Sequence, residues 1–69
     1  MQDVPLDREG IRLGQFLKLA GLIDSGADAK AVLASGAVSV NGEPETRRGR
    51  QLRRGDVVTL GTAEPARVG

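Results

Sequence analysis

The chain of 69 residues contains no cysteine, no histidine, no tryptophan and no tyrosine, and its one aromatic residue is Phe16. Without cysteine there are no disulfides and no thiolate nucleophiles. Without histidine the usual zinc ligands and the commonest general base are missing as well. Long apolar runs are also lacking, since nothing approaches the ~18 residues of a membrane span. The N-terminus, Met-Gln-Asp-Val-Pro-Leu-Asp, lacks the basic and apolar regions of a secretory leader. These absences predict a cytoplasmic protein with no cofactor, no metal and no membrane partner. They also point away from an enzyme or a small-molecule substrate, because the acids that remain are scattered. Glu43 and Glu45 fall on one side of an expected strand, where a solvated face accounts for them better than an acid/base pair in a cleft. The glycines form neither GxGxxG nor GxxxxGK[ST], so no phosphate cradle of those types is encoded. Arg54-Gly55-Asp56 reads as a turn rather than an adhesion signal.

What is present is a charge asymmetry hidden by a net charge of +1. Residues 1 to 45 carry four cations against seven acids, a net of −3. Residues 46 to 69 carry six arginines against two acids, a net of +4. Five of those arginines, Arg47, Arg48, Arg50, Arg53 and Arg54, lie within eight consecutive positions. Arginine offers a planar fork of donors that fits phosphate oxygens, and no lysine occurs in this tract. A basic block of this kind predicts a polyanionic partner, with a solvated charged loop as the plainer alternative. Stacking on exposed aromatics is excluded by composition, so phosphate contacts and the shape of a folded nucleic acid are left as the means of recognition.

Periodicity places this block in a fold. Leu13, Phe16, Leu17 and Ala20 recur at helical spacing and predict a helix over 12–22 that ends at Gly21. Ser25, three residues before Asp28, predicts the N-cap of a second helix over 26–35, closed by Gly36. After Gly36 the period becomes two. Val38 and Val40 lead into Asn41-Gly42, the signature of a type I′ hairpin, with a return strand over 43–46. Leu52 is expected to anchor the basic connector, and 57–60 to form the last strand. The expected organisation is an arm or edge strand over 1–10, a domain over 11–60 and a disordered tail over 61–69. Its class is α+β, two packed helices on a small antiparallel sheet.

The stretches Ile11-Arg12-Leu13-Gly14-Gln15-Phe16-Leu17-Lys18, Asp24-Ser25-Gly26-Ala27-Asp28-Ala29-Lys30 and Val38-Ser39-Val40-Asn41-Gly42 occur in this order. Together they resemble the S-four (S4) RNA-binding domain, and the continuation Glu45-Thr46-Arg47-Arg48 looks most like its small stand-alone bacterial members of the YbcJ type. The resemblance implies a helix-helix-hairpin surface, the alpha-L motif, that grips structured RNA of the ribosomal or transfer RNA class. It matches Arg12 to the arginine of the family's Arg-Leu-Asp opening, with Gly14 in place of the aspartate. Ser25 matches the serine that starts the second helix, and Lys30 the basic residue five positions later. Gly26 stands where an arginine is common, which removes one phosphate contact and shifts a larger share onto Arg47, Arg48 and Arg50. The expected RNA-binding set is therefore Arg12, Lys18, Ser25, Lys30, Arg47, Arg48, Arg50, Arg53 and Arg54, in a monomer. An adaptor that docks an acidic protein through the same basic face is the alternative. Larger relatives join this domain to pseudouridine synthases or aminoacyl-tRNA synthetases, and nothing in this sequence supplies such a catalytic partner.

Overall fold

The computed structural model describes residues 1–6 and 10–69; the part of the expected arm at residues 7–9 lies outside them. In chain order the elements are β1 (Gln2–Val4), β2 (Ile11–Arg12), α1 (Leu13–Leu19), α2 (Gly26–Ala34), β3 (Val38–Val40), β4 (Glu43–Pro44), β5 (Gln51–Leu52), β6 (Val57–Leu60) and β7 (Ala66–Val68).

Helix α1 buries the stripe its spacing predicts, with Leu13, Phe16 and Leu17 fully inside and Ala20 nearly so. It is shorter than 12–22. Its end is set by Gly21 at φ +75, where the Gly21 amide donates to the Lys18 carbonyl and the Leu22 amide to the Leu17 carbonyl. That paired closure is the Schellman arrangement, which a left-handed glycine makes at no steric cost. Helix α2 begins as predicted, the Asp28 amide donating to Ser25 Oγ at 3.3 Å, and stops one residue before the expected end. The β3–β4 hairpin turns on Asn41 (φ 53) and Gly42 (φ 85), both in the left-handed region that a type I′ turn requires.

The larger sheet has the order β1-β7-β6-β3-β4, with β1 parallel to β7 and the other pairs antiparallel; β2 and β5 form a separate antiparallel ribbon. The α+β class holds, but the sheet is mixed rather than antiparallel. The cause lies in residues 61–69, which were expected to be disordered. Ala66 and Val68 are buried, Arg67 between them faces out, and the strand inserts between β1 and β6. Arg67 Nε donates to Asp3 Oδ1 at 2.7 Å across the parallel pair. A segment of three residues has too little local pattern to announce itself; non-local pairing makes it a strand. Around it, Phe16, Leu17, Leu33, Val38, Val40, Leu52, Val58 and Val68 close one aliphatic core. Burying each such side chain stabilises the fold by about 1.5–3 kcal/mol.

Candidate nucleic-acid interface

The basic stretch begins on an acid. Glu45 is not part of a solvated face: it is only 7% exposed, the sole buried charged residue among the described residues. Its amide continues the hairpin by donating to the Val38 carbonyl, and this turns its carboxylate back beneath the following loop. Oε2 accepts the backbone amides of Thr46 and Arg47 at 3.0 and 3.1 Å and the Arg47 Nε–H at 3.3 Å. Oε1 accepts from Arg47 Nη2 at 3.2 Å and from Arg50 Nη1 at 3.1 Å. Hydrogen bonds from the Arg47 side chain and backbone outweigh the opposing effect of desolvation. They hold the Glu45 carboxyl down to about 2, against an ordinary value of 4.5. One carboxylate therefore folds the 46–50 loop and holds two of its three guanidinium groups.

The loop is fastened to α1 by its backbone. Carbonyls of Arg50 and Arg48 accept the Leu13 and Gly14 amides at 2.8 and 3.0 Å, satisfying donors that the first turn of a helix leaves open. Gln15 Oε1 accepts the Arg12 amide at 3.2 Å and completes that end. Gly14 has a steric reason to be glycine. A Cβ there would lie 2.5 Å from Arg48 Cγ, so the bare backbone is what lets Arg48 cross the start of the helix.

The second basic pair is built differently. Asp56 Oδ2 accepts the Arg53 amide at 2.8 Å, the Asp56 amide returns to the Arg53 carbonyl at 3.0 Å, and the Gly55 amide donates to the Val68 carbonyl. Asp56 Oδ1 accepts Asn41 Nδ2, while Asn41 Oδ1 accepts the Val57 amide at 2.9 Å. The Arg53–Asp56 turn is thus anchored to both the hairpin tip and β7, and its acid holds backbone rather than guanidinium. Arg53 and Arg54 are exposed.

Two concavities result. One, of about 390 Å³, lies between α1, α2 and the loop, and is lined by Arg12, Lys18 and Arg48 together with the glycines Gly14, Gly26 and Gly49. The other, of about 730 Å³, lies beside the β2–β5 ribbon and is lined by Arg12, Arg53, Arg54, Gln15 and Gln51. Arg12 and Gln15 line both, so the two open onto one continuous surface. Of the nine residues expected to bind, five line these concavities. Arg47 and Arg50 are bound to Glu45, Ser25 serves as the α2 cap, and Lys30 is exposed on α2 outside both. Residues that sequence reasoning passed over are Glu45, Gln15, Gln51 and the Asn41–Asp56 clamp. The acid immediately before the arginine run was the one visible signal for the first.

Comparisons with known proteins place the chain in a family. A family model described as S4 domain matches residues 4–68. RlbA of Bacillus subtilis, provisionally named a ribosome maturation protein, is 54% identical over 57 residues, covering 83% of this chain and 80% of RlbA. YbcJ of Escherichia coli, provisionally named an RNA-binding protein, is 41% identical over 50 residues, covering 72% of this chain and 71% of YbcJ. The crystal structure of 30S ribosomal protein S4e from Thermoplasma acidophilum superposes with a TM-score of 0.65 at 23% identity. That match covers 88% of this chain and 32% of the larger protein, and it bears on the fold alone.

Proposed function

Because the chain belongs to the S4 domain family, we propose that it is a monomeric, cytoplasmic RNA-binding module that grips structured RNA and performs no catalysis of its own. The observation that carries this reading is the surface on which Arg12, Lys18 and Arg48 meet around bare glycine backbone, continued through Arg12 to Arg53 and Arg54. Cations supply phosphate contacts, while small backbone walls let a sugar-phosphate strand approach closely. A Cβ on Gly26 would meet nothing within 4 Å, so packing does not demand glycine there, and its effect is to keep the wall of the concavity low. With Phe16 buried, the protein has no aromatic platform, and affinity rests on phosphate contacts and RNA shape. The ribosome-related name of RlbA favours ribosomal RNA as the target class.

Neutralising about five phosphates lowers affinity by roughly two to three decades between 50 and 200 mM salt. Titrating labelled ribosomal RNA hairpins across that range tests the proposal. A steep linear dependence of log affinity on log salt is expected, and absence of binding at low salt overturns it. Purification from cells separates the adaptor alternative: nuclease-sensitive absorbance at 260 nm supports RNA, and a stoichiometric acidic protein that survives nuclease supports the adaptor.

A further inference from the structure

The wider concavity contains chemistry that phosphate binding does not use. Its floor is the β2–β5 ribbon, where Ile11 pairs with Leu52 and both side chains are buried in the core. Around that floor stand three guanidinium groups, from Arg12, Arg53 and Arg54, and two carboxamides, from Gln15 and Gln51. No carboxylate lines it among the described residues. A phosphate is acceptor-only and gains nothing from an amide oxygen. A nucleobase edge presents donors and acceptors side by side, which a carboxamide matches with its own pair. Gln15 has its oxygen committed to the Arg12 amide and offers its NH2. Gln51 is exposed on β5 and has both ends of its amide available. The volume of about 730 Å³ lies within the ~300–1,000 Å³ of small-ligand sites.

The walls are held in advance of any ligand. Arg53 and Arg54 project from the turn that Asp56 ties to the Asn41 hairpin tip, and Arg12 sits where β2 passes into α1 under the Gln15 bond. A guanidinium plane can stack on a base face in place of an aromatic ring. With Phe16 buried, a guanidinium plane is the stacking surface this concavity offers.

We propose that the concavity between the β2–β5 ribbon and the Arg53–Arg54 turn is a nucleotide pocket that receives one unpaired nucleotide of the bound RNA. Its base lies against a guanidinium plane, Gln51 reads the base edge, and a remaining arginine meets the phosphate. This rests on the RNA-binding reading and adds a ligand class to it: folded RNA with a bulged or extruded residue beside a helical stem.

The test compares two labelled RNA hairpins by fluorescence anisotropy at one salt concentration, one with a fully paired stem and one with a single unpaired adenosine in that stem. The wild-type protein is expected to bind the bulged hairpin about tenfold more tightly, the scale of one stacked base. Gln51→Ala, an exposed change, is expected to bring the two within about twofold. The double variant Arg53→Lys, Arg54→Lys keeps charge and loses planarity, so it is expected to retain the salt slope on the paired hairpin and lose the preference. Equal wild-type affinity for both hairpins overturns the pocket and leaves the RNA-binding reading standing; binding to neither overturns both. A preference that survives Gln51→Ala and the lysine pair also overturns the assignment. Release of the bulged hairpin by free adenosine monophosphate overturns an RNA residue as the occupant in favour of a free nucleotide.

Discussion

The 46–50 loop and the Arg53–Asp56 turn are both arginine-rich, both near an acid and only three residues apart, yet they treat charge in opposite ways. In the loop, Glu45 accepts from two guanidinium groups, so much of the positive charge of Arg47 and Arg50 is answered within the protein. In the turn, Asp56 accepts from the Arg53 amide and from Asn41, and the guanidinium groups of Arg53 and Arg54 are left for a ligand. An acid beside an arginine run can therefore consume the charge or present it. What decides is whether the carboxylate reaches a guanidinium group or is taken up by backbone and carboxamide donors. Of the five arginines in eight positions, Arg47 and Arg50 share the one negative charge of Glu45, while Arg48, Arg53 and Arg54 line the concavities, joined by Arg12 and Lys18 from elsewhere in the chain.

The largest effect tests whether the two regions share one support. Leu52, wholly buried between them, belongs to β5, and Leu52→Ala is expected to destabilise the fold by about 3 kcal/mol. For so small a domain that is a large part of its stability. Urea unfolding checks it; a loss under 1 kcal/mol would mean the segments are held independently. Next, paired replacements separate consumed from presented charge. Arg53→Ala with Arg54→Ala is expected to flatten the salt dependence of RNA binding by about two units, and Arg47→Ala with Arg50→Ala by less than about one. Equal flattening would erase the distinction.

How much of this was legible in the sequence follows the reach of each interaction. Helix α1, helix α2 with its Ser25 cap and the Asn41-Gly42 turn depend on neighbours within a few positions, and all were readable. The strand Ala66–Val68 depends on β1 and β6, far away in sequence, and was not. Glu45 shows the same limit at the site: alternation could place it on a strand face, but only the hairpin's curl decides that the carboxylate turns under the loop. Gly14 could be seen to depart from the resembled pattern. Its reason, the passage of Arg48 over the helix start, required the fold.

A smaller effect sharpens the loop's half of the comparison through pH. The folded-state pKa of Glu45, about 2, lies below its ordinary 4.5. Its contribution to stability is therefore fully present above about pH 4.5 and is lost progressively as pH falls through that window toward 2. Glu45→Gln is expected to flatten the acid limb of a thermal-denaturation profile and lower the plateau at neutral pH; an unchanged acid limb would show that Glu45 does not hold the loop. The smallest effect is expected from Gly14→Ala. Alanine favours the helix by about 1 kcal/mol over glycine, while its methyl group displaces Arg48. Thermal stability should hold or rise as RNA affinity falls severalfold, about the scale of one displaced phosphate contact. In an Arg48→Ala background the affinity effect should vanish, which a double-mutant cycle reads directly.

The parallel pairing of β1 with β7 has a mechanical consequence. Gln2 lies beside Ala66 and Val4 beside Val68, so the two strands nearest the ends of the described chain run side by side in the same direction. Tension applied between residues 1 and 69 pulls β1 toward its start and β7 toward its finish, sliding one strand along the other. Their rungs then resist together rather than opening one after another as in a zipper.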